Sequence, residues 1–306
     1  MSMRLAVAGT AMLSPPVSLS CMKVLVAQKC GFCQGVRNAI TTAEKILAQE
    51  KEVYSLGPII HNADVVQRLA KAGLKTVNSV EDIESGSVLI RSHGAAPWQI
   101  AKLKQKGLKI VDATCVLVKR VQHIANELAE DGYKVVIIGD ENHPEVQAVM
   151  GCAGDVVVVA DESDLQKLPE NAKLGVVCQT TQSPEHFGKM LGEIGRRGFS
   201  QLKVINTLCK EAIKRQESAV QLCKRVDIMF VLGGLESSNT HRLAELCKKV
   251  NQQTYHLENW NGLDKRLLFG KNVAGVTAGA STPDWIIAEF VGNLEAFDTD
   301  GTRQNR

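Results

Sequence analysis

The chain has 306 residues, 44% of them hydrophobic, so it is long enough for two or three structural units around a large core. Basic and acidic residues nearly balance at a net charge of +3, and aromatic residues make up only 4%, which argues against a nucleic-acid-binding surface. No apolar run approaches the roughly 18 residues that span a bilayer, so we expect no membrane partner.

Residues 1–21, MSMRLAVAGTAMLSPPVSLSC, allow two interpretations. An apolar stretch behind a single arginine weakly resembles a secretory signal peptide. The nine cysteines of the chain, widely and irregularly spaced, instead favour free thiols in a reducing cytoplasm over a secreted disulfide framework. We therefore expect a cytoplasmic protein in which residues 1–21 form a disordered extension ahead of an internal start at Met22, where the strand pattern begins.

Short runs of Val, Ile and Leu alternate with helix-like segments from Met22 onward. The helical spacing of apolar residues is clear over residues 36–47 and again over residues 117–128. The predicted strands cover residues 23–27, 52–57, 87–92, 109–114, 134–139, 155–160, 174–180, 203–207, 228–234 and 273–279. Continuous apolar strands that alternate with helices indicate parallel sheets covered on both faces, so we predict an α/β fold.

An internal repeat divides this pattern into three. Segments 23–37, 108–120 and 202–215 each read as a strand, a short loop, a cysteine and a helix. A glycine that ends an apolar run follows each cysteine by 24 positions, and a polar residue follows each glycine by four. The three sets are Cys33, Gly57 and His61; Cys115, Gly139 and His143; and Cys209, Gly233 and Ser237. Cys30 breaks the match, because Tyr54 lies 24 positions from it.

We therefore predict three pseudo-symmetric α/β lobes arranged as a trefoil, over residues 22–112, 113–206 and 207–285, with residues 286–306 as a polar C-terminal tail. In such sheets, ligands bind beyond the carboxyl ends of the strands, where helix N-termini point, and each repeat cysteine stands at that place. A helix N-terminus favours the thiolate form of a cysteine. Lobes around a common axis would bring the three thiolates together.

Three convergent thiolates select either an iron–sulfur cluster or zinc. Structural zinc usually takes local pairs of cysteines and a closed fourth ligand, whereas Cys33, Cys115 and Cys209 are separated by 82 and 94 residues. This spacing favours a cluster between the lobes with one iron that lacks a protein ligand, which is the open position that a catalytic metal site requires. Three ordinary buried cysteines are the alternative.

Histidines and hydroxyl side chains follow predicted strands. His61, His93 and His143 stand in the turns GPIIHN, IRSHG and ENHPE, and residues 236–240 read ESSNT. Such donors, together with helix N-termini, suit a phosphate or diphosphate, and no nucleotide-binding loop is recognisable. Glu145 is the acidic group in a turn of this kind. It could carry protons for catalysis or simply begin a helix.

An ordered set of motifs over residues 22–285 carries a resemblance to a known family. The motifs are GFCQGVRNAI, GPIIHN, SHG, DATC, NHPEV, CQTTQS, NTLC with a following RQ, SSNTHRL and GVTAGAS. In this order they resemble those of the 4-hydroxy-3-methylbut-2-enyl diphosphate reductase family, also called the LytB family. The resemblance implies an α/β trefoil around a central [4Fe–4S] cluster and the last step of the methylerythritol phosphate route to isoprenoid precursors.

The resemblance also implies roles for individual residues. Cys33, Cys115 and Cys209 would hold the cluster, and Cys30 falls outside the motif. Glu145 would supply protons, and Thr180 would contact the substrate hydroxyl. The residues that would bind the substrate are His61, His93, His143, Thr180, Ser237, Ser238, Asn239 and Ser281.

The implied reaction is a two-electron reductive dehydroxylation of 4-hydroxy-3-methylbut-2-enyl diphosphate to isopentenyl and dimethylallyl diphosphate. Glu145, acting through Thr180 and the substrate's own diphosphate, would protonate the departing hydroxyl. The electrons would come from ferredoxin or flavodoxin, because the sequence has no recognisable flavin or NAD(P)H site.

Three positions depart from the family's pattern: Val116 replaces a Pro, and Glu211 and Ala212 replace an Ala-Thr pair. The missing Thr hydroxyl would normally sit near the ligand, and Glu211 would add negative charge near a cluster and an anion unless it faces solvent. These changes leave open a diverged homologue that reduces another allylic diphosphate. A non-catalytic iron–sulfur sensor or a zinc-stabilised structural protein could also use the three cysteines.

Overall fold

A computed structural model describes residues 22–297, and the predicted N-terminal extension at residues 1–21 lies outside the described part. The strands of this part are β1 Lys23–Val26, β2 Val53–Leu56, β3 Leu74–Val77, β4 Ser87–Ile90, β5 Lys109–Asp112, β6 Lys134–Ile138, β7 Val156–Val159, β8 Lys173–Cys178, β9 Gln201–Val204, β10 Ile228–Leu232, β11 Thr254–Leu257 and β12 Val273–Ala278. Its helices are α1 Gln34–Gln49, α2 Ala63–Lys71, α3 Pro97–Gln105, α4 Val116–Glu130, α5 Pro144–Ala153, α6 Pro184–Gly195, α7 Lys210–Cys223, α8 Ser238–Val250 and α9 Asp284–Glu295. Within residues 22–297, no helix combines the length and the apolarity that crossing a bilayer needs.

The strands form three parallel sheets of four strands each, which confirms the predicted α/β class and the division into three lobes. The strand orders are β3-β2-β4-β5, β7-β6-β8-β9 and β1-β12-β10-β11. The sequence predicts ten of these strands and misses two, β3 with the sequence LKTV and β11 with the sequence TYHL. Both are partly exposed edge strands, so neither carries the continuous apolar run that marks a strand buried on both faces.

Each sheet separates two hydrophobic clusters. Along β6, Val136 and Ile138 belong to one cluster together with Phe187 of α6. Val135 and Ile137 belong to the other cluster, which α4 and α5 cover. Because successive side chains of a strand point to opposite faces, this alternation places helices on both faces of the sheet. The first and third sheets are built in the same way.

The first strand of the chain belongs to the sheet of the third lobe, which the predicted lobe boundaries do not allow for. β1 pairs in parallel with β12, with Lys23 opposite Val273. The strand predicted for the first lobe therefore completes the sheet of the third lobe. After each of the edge strands β1, β5 and β9, the chain crosses to a helix that packs in the next lobe, namely α1, α4 and α7. The start of lobe 1 thus lies at α1 rather than at residue 22.

The C-terminal segment also differs from the predicted tail at residues 286–306. Helix α9 packs against the third sheet, and residues 298–306 lie outside the described part. Phe290 of α9 is fully buried, and its ring centroid lies 5.2 Å from that of Phe230 and 5.4 Å from that of Trp260. The predicted tail begins too early because the polar segment EAFDTDGTRQNR directly follows the apolar residues of α9, so the sequence pattern does not show where the helix ends.

Replacing Phe290 with Ala tests whether α9 belongs to the core. Removal of a fully buried aromatic ring leaves a cavity, so we expect the free energy of unfolding to fall by about 3–5 kcal/mol. Urea or thermal unfolding measures the loss, with Glu289→Ala as the exposed control on the same helix. Equal stability of the two variants would mean that α9 does not stabilise the third lobe.

Candidate active site

The three repeat cysteines stand at the starts of three helices and line one cavity. Cys33, Cys115 and Cys209 are the residues that precede α1, α4 and α7, in the N-cap position. All three line the same cavity at the centre of the three lobes. The Sγ atom of Cys33 accepts a hydrogen bond from the N–H of Val36 at 3.4 Å. The fold therefore brings together thiols that lie far apart in sequence, as the repeat predicts.

Three equivalent backbone hydrogen bonds hold these cysteines. Each cysteine N–H donates to a carbonyl oxygen in the loop that follows β12, β4 or β8 of the preceding lobe. The bonds run from Cys33 to Ala280 at 3.1 Å, from Cys115 to Ser92 at 3.0 Å and from Cys209 to Thr180 at 2.8 Å. They close a ring in which each lobe fixes the cysteine that begins the next one.

Gly35 allows α1 to start directly against Cys115. A Cβ atom at position 35 would lie 3.0 Å from the Sγ of Cys115 and 3.8 Å from the Sγ of Cys33. A side chain there would press on the Cys115 thiol, so glycine lets the start of α1 lie close to this sulfur. The same two distances show that the sulfurs of Cys33 and Cys115 both lie close to Gly35. Cys30, in contrast, packs in a hydrophobic cluster of the third lobe and is absent from the cavity wall.

The spacing of the thiols bears on which metal they suit. Within residues 22–297, the three histidines are the set whose ligand atoms all lie within 4.8 Å of one another, and the three thiols do not form such a set. A single zinc ion needs ligands that surround it closely, so the wider thiol spacing favours a multi-iron core. Burial raises the pKa of the Cys115 thiol, and the N–H groups of Leu117 and Val118 act in the opposite direction.

The same cavity carries a second group of side chains, which we call the polar ring. Its members are imidazoles, hydroxyls and one amide. They are His61, His93, His143, Ser237, Ser238, Asn239 and Ser281. The ring centroid of His93 lies 5.1 Å from that of His61 and 5.5 Å from that of His143. Ser281 ties the third lobe to the first, because its hydroxyl donates to the backbone oxygen of His61 at 3.2 Å.

Three helices begin at the polar ring. Asn62, next to His61, caps α2; His143 caps α5; and Ser237 caps α8. The positive ends of the three helix dipoles favour a bound anion and disfavour a cation. Arg91 acts in the same sense, since its charge contributes to lowering the pKa of all three histidines. The imidazole trio therefore suits an anion better than a metal ion.

The histidines are neutral donors at physiological pH. The backbone N–H of Glu145 donates to Nδ1 of His143 at 3.2 Å, so the neutral ring carries its proton on Nε2. Burial lowers the pKa of His143 to about 4, with His61 and Arg91 acting in the same direction. Burial also lowers the pKa of His61 and of His93.

Two members of the polar ring have buried atoms without a partner. Nδ1 of His93 and Nδ2 of Asn239 make no hydrogen bond within the described part of the chain. Leaving a buried polar atom unpaired costs about 1–3 kcal/mol, so such atoms commonly mark a ligand site. The amide nitrogen of Asn239 can only donate, which again fits an anionic ligand.

A buried carboxyl group connects to the cavity through Thr180. Glu145 is only 2% exposed, and its two carboxylate oxygens accept from the N–H and the O–H of Thr180, each at 2.7 Å. Burial raises the pKa of Glu145, whereas the two hydrogen bonds from Thr180 oppose that rise. The backbone oxygen of Thr180 also holds Cys209. Thr180 thus contacts both the buried carboxyl of Glu145 and the backbone of Cys209.

The three departures from the family's pattern take different places. Val116 is 76% exposed at the start of α4. Glu211 faces solvent, where Lys29 lies 3.5 Å and Lys214 lies 3.6 Å from its carboxylate oxygens. It therefore adds no negative charge to the cavity. Ala212 does line the cavity, so the absent Thr hydroxyl is a local change in its wall.

Two cations near the site had no assigned role in the sequence. Arg91 lies beside the histidines, and Arg215 lines the cavity near the thiols. A signal for Arg215 was present, because it shares one helical face of α7 with the buried residues Ala219 and Leu222. A single cation on an apolar face indicates a buried counter-charge.

The fold and the site define a class of protein: a three-lobed α/β protein whose central cavity is lined by three thiols, the polar ring and a buried carboxyl. A family model described as LytB protein matches residues 24–295. The chain belongs to this family, and family membership implies an iron–sulfur cofactor.

Relatives and solved structures agree with this assignment. A relative in Pelobacter propionicus, named 4-hydroxy-3-methylbut-2-enyl diphosphate reductase, is 44% identical over 274 residues, which are 89% of this chain and 98% of the relative. One of the same name in Geobacter sulfurreducens is 42% identical over 278 residues, or 90% and 98% of the two chains. A solved structure of (E)-4-hydroxy-3-methyl-but-2-enyl diphosphate reductase, called the terminal enzyme of the non-mevalonate pathway, shares 39% identity at a TM-score of 0.67 and covers 90% of this chain and 100% of its own. The structure of the E-1-hydroxy-2-methyl-but-2-enyl-4-diphosphate reductase from Plasmodium falciparum has a TM-score of 0.86 at 28% identity, with 91% and 90% covered.

Replacing His143 with Asn tests whether the imidazole is held neutral, and Asn can still cap α5. With a folded pKa of about 4 against 6.5, the unfolded chain binds more protons between these values, so stability falls as the pH drops through 6.5 toward 4. Between pH 7.5 and pH 5, we expect wild type to lose about 2 kcal/mol relative to His143→Asn. Urea unfolding over this range measures the difference, and curves that stay parallel would contradict a depressed pKa.

Proposed function

We propose that this chain reduces 4-hydroxy-3-methylbut-2-enyl diphosphate to isopentenyl and dimethylallyl diphosphate, the last step of the methylerythritol phosphate route. The observation that carries the proposal is a single cavity in which three thiols, an anion-binding polar ring and a buried carboxyl meet. The names of the relatives support the same reaction. The reaction consumes two electrons and two protons, breaks the allylic C–O bond and releases the oxygen as water.

The cavity fits an iron–sulfur cluster of the [4Fe–4S] type, with Cys33, Cys115 and Cys209 as its ligands. The donor set supports this choice, because it consists of three soft thiols from three lobes that are too widely spaced to form a single-ion site. Three ligands for four irons leave one iron free of protein. When bound by these three cysteines, the cluster would supply electrons one at a time and a Lewis-acidic iron.

The polar ring binds the diphosphate of the substrate. The neutral imidazoles, the serine hydroxyls and the Asn239 amide donate to its oxygens, and the N-termini of α2, α5 and α8 stabilise its charge. The buried unpaired atoms of His93 and Asn239 find their partners in this way. Apolar side chains in the wall, including Val36, Ile60 and Val118, exclude water and strengthen these interactions.

Glu145 and Thr180 deliver a proton to the departing hydroxyl. Because burial raises its pKa, Glu145 takes up a proton more readily than an exposed carboxyl does. The protonated carboxyl donates to Oγ1 of Thr180, which lies 2.7 Å away and passes its own proton into the cavity. The carboxylate left behind is stabilised by the N–H of Thr180, which donates to its other oxygen.

The electrons come from a ferredoxin or flavodoxin, and the protein works in the cytoplasm. The donor assignment is supported by the sequence, which has no recognisable flavin or nicotinamide motif. The location is supported by the eight described cysteines, all of which are free thiols, including the buried Cys178, Cys223 and Cys247.

Replacing Glu145 with Gln removes the proton and keeps the shape of the side chain. We expect turnover of the hydroxylated diphosphate to fall by about 10²–10⁴-fold, the usual contribution of a positioned general acid. An anaerobic assay with reduced methyl viologen measures turnover. Glu141→Gln, an exposed acid four residues earlier, is the matched control. Full activity of Glu145→Gln with an intact cluster would exclude Glu145 as the proton donor.

Replacing Cys33 or Cys30 with Ser identifies the ligand of the first lobe. Because Cys33 lines the cavity and the partly buried Cys30 packs against a hydrophobic cluster of the third lobe, Cys33→Ser should lose most of its iron and its broad visible absorption, whereas Cys30→Ser should keep both. Iron content and the absorption spectrum after anaerobic purification distinguish them. The opposite pattern would assign the ligand to Cys30.

A further inference from the structure

Arg215 is a buried cation without a carboxylate partner. Its side chain lies on α7, one and a half turns after Cys209, and the residue is only 6% exposed. Within residues 22–297, no carboxylate forms an ion pair with its guanidinium, and its hydrogen bond is a long one of 3.4 Å from Nη1 to the backbone oxygen of Ala278. Burying an unpaired charge costs several kcal/mol, so a counter-charge is needed.

The acidic side chain one turn earlier on the same helix supplies little of that counter-charge. Glu211 stands one turn earlier but faces solvent, where it pairs with Lys29 and Lys214. Arg215 lines the cavity together with Cys33, Cys115 and Cys209, so charge held at these sulfurs is placed to supply it. Burial lowers the pKa of Arg215, and the charges of Cys33, Cys30, Cys209 and, least of these, Glu211 oppose that effect. Reciprocally, burial raises the pKa of Cys30, and the charge of Arg215 opposes that rise.

The charges that act on Arg215 differ from those that act on the three histidines of the polar ring. The cation that acts on His61, His93 and His143 is Arg91, whereas Arg215 acts on the thiols. Both Arg215 and the three cysteines line the cavity. The guanidinium is therefore placed to meet charge that resides on the sulfurs rather than on the diphosphate.

We propose that Arg215 is the counter-cation of the cluster and raises its reduction potential. This inference rests on the proposed function, since it requires a cluster on the three cysteines. In the step concerned, one electron enters the oxidised cluster from an external one-electron donor, no bond forms or breaks, and the charge of the site becomes more negative by one. A fixed positive charge in a low-dielectric wall stabilises the reduced state more than the oxidised one.

The test measures the midpoint potential of the cluster in the anaerobically purified protein. Electron paramagnetic resonance monitors the reduced cluster during titration with dithionite. Arg215→Gln should shift the midpoint to more negative values by at least about 59 mV, which corresponds to a tenfold change in a one-electron equilibrium. Lys214→Gln removes the same charge from the neighbouring, solvent-exposed position and should shift it far less, because exposed charges are screened. An unchanged midpoint in Arg215→Gln overturns the proposal.

Two further variants separate charge from shape. Arg215→Lys keeps the cation, and Arg215→Met keeps an unbranched side chain without it. We expect iron content and midpoint close to wild type in the Lys variant and a negative shift or loss of iron in the Met variant. Wild-type iron content and midpoint in Arg215→Met, with a negative shift or loss of iron in Arg215→Lys, would assign Arg215 a packing role. That result would overturn the proposal even if Arg215→Gln fails to hold iron.

Binding of inorganic pyrophosphate supplies the last discrimination. Arg215→Gln should weaken the affinity for this probe less than Arg91→Gln does, because Arg91 rather than Arg215 acts on the histidines. A large loss of affinity with an unchanged midpoint would make Arg215 a diphosphate ligand instead. Failure of the proposed function gives different results: without a cluster, wild type shows no midpoint to compare, and with a cluster but another role, wild type shows a midpoint without turnover of the hydroxylated diphosphate.

Discussion

The arrangement depends on three hydrogen bonds in which each repeat cysteine donates its backbone N–H to a loop of the preceding lobe. Each bond fixes the first turn of the helix that the cysteine caps, and thereby fixes where the sulfur lies. Because β1 pairs in the third sheet, the first cysteine is held by the last lobe, and the chain closes on itself. The lobes cannot separate at this point without displacing a thiol, so the site is assembled only when the whole fold is complete.

This closure brings two chemically different environments into one cavity. The thiols and Arg215 form one of them, and the imidazoles with the N-termini of α2, α5 and α8 form the other. In the proposed function, the first would hold the cluster and its charge, and the second would bind the diphosphate while burial keeps its histidines neutral. Thr180 belongs to both, since its oxygen fixes Cys209 and its donors hold the carboxyl of Glu145. A reaction that couples electron uptake to proton transfer requires this proximity.

Much of the fold and of the site was accessible from the sequence. The apolar runs of buried parallel strands predicted ten strands, and the spacing of Cys33, Cys115 and Cys209 predicted three lobes that share one centre. The missed features have physical reasons. Edge strands such as β3 lack a continuous apolar run, and the pairing of β1 with β12 depends on contacts between opposite ends of the chain, which no local pattern reports. The sequence marks Arg215 as a cation on the apolar face of α7, but its place in one cavity with Cys33 and Cys115 depends on contacts between distant segments of the chain.

The central claim is that three cysteines far apart in the sequence bind one iron–sulfur cluster. An anaerobic crystal structure with anomalous data collected at the iron edge tests it most directly. We predict iron within bonding distance of Cys33, Cys115 and Cys209, with Cys30 away from the metal and one iron free of protein ligands. Iron bound elsewhere, or a zinc ion enclosed by four protein ligands, would contradict the account.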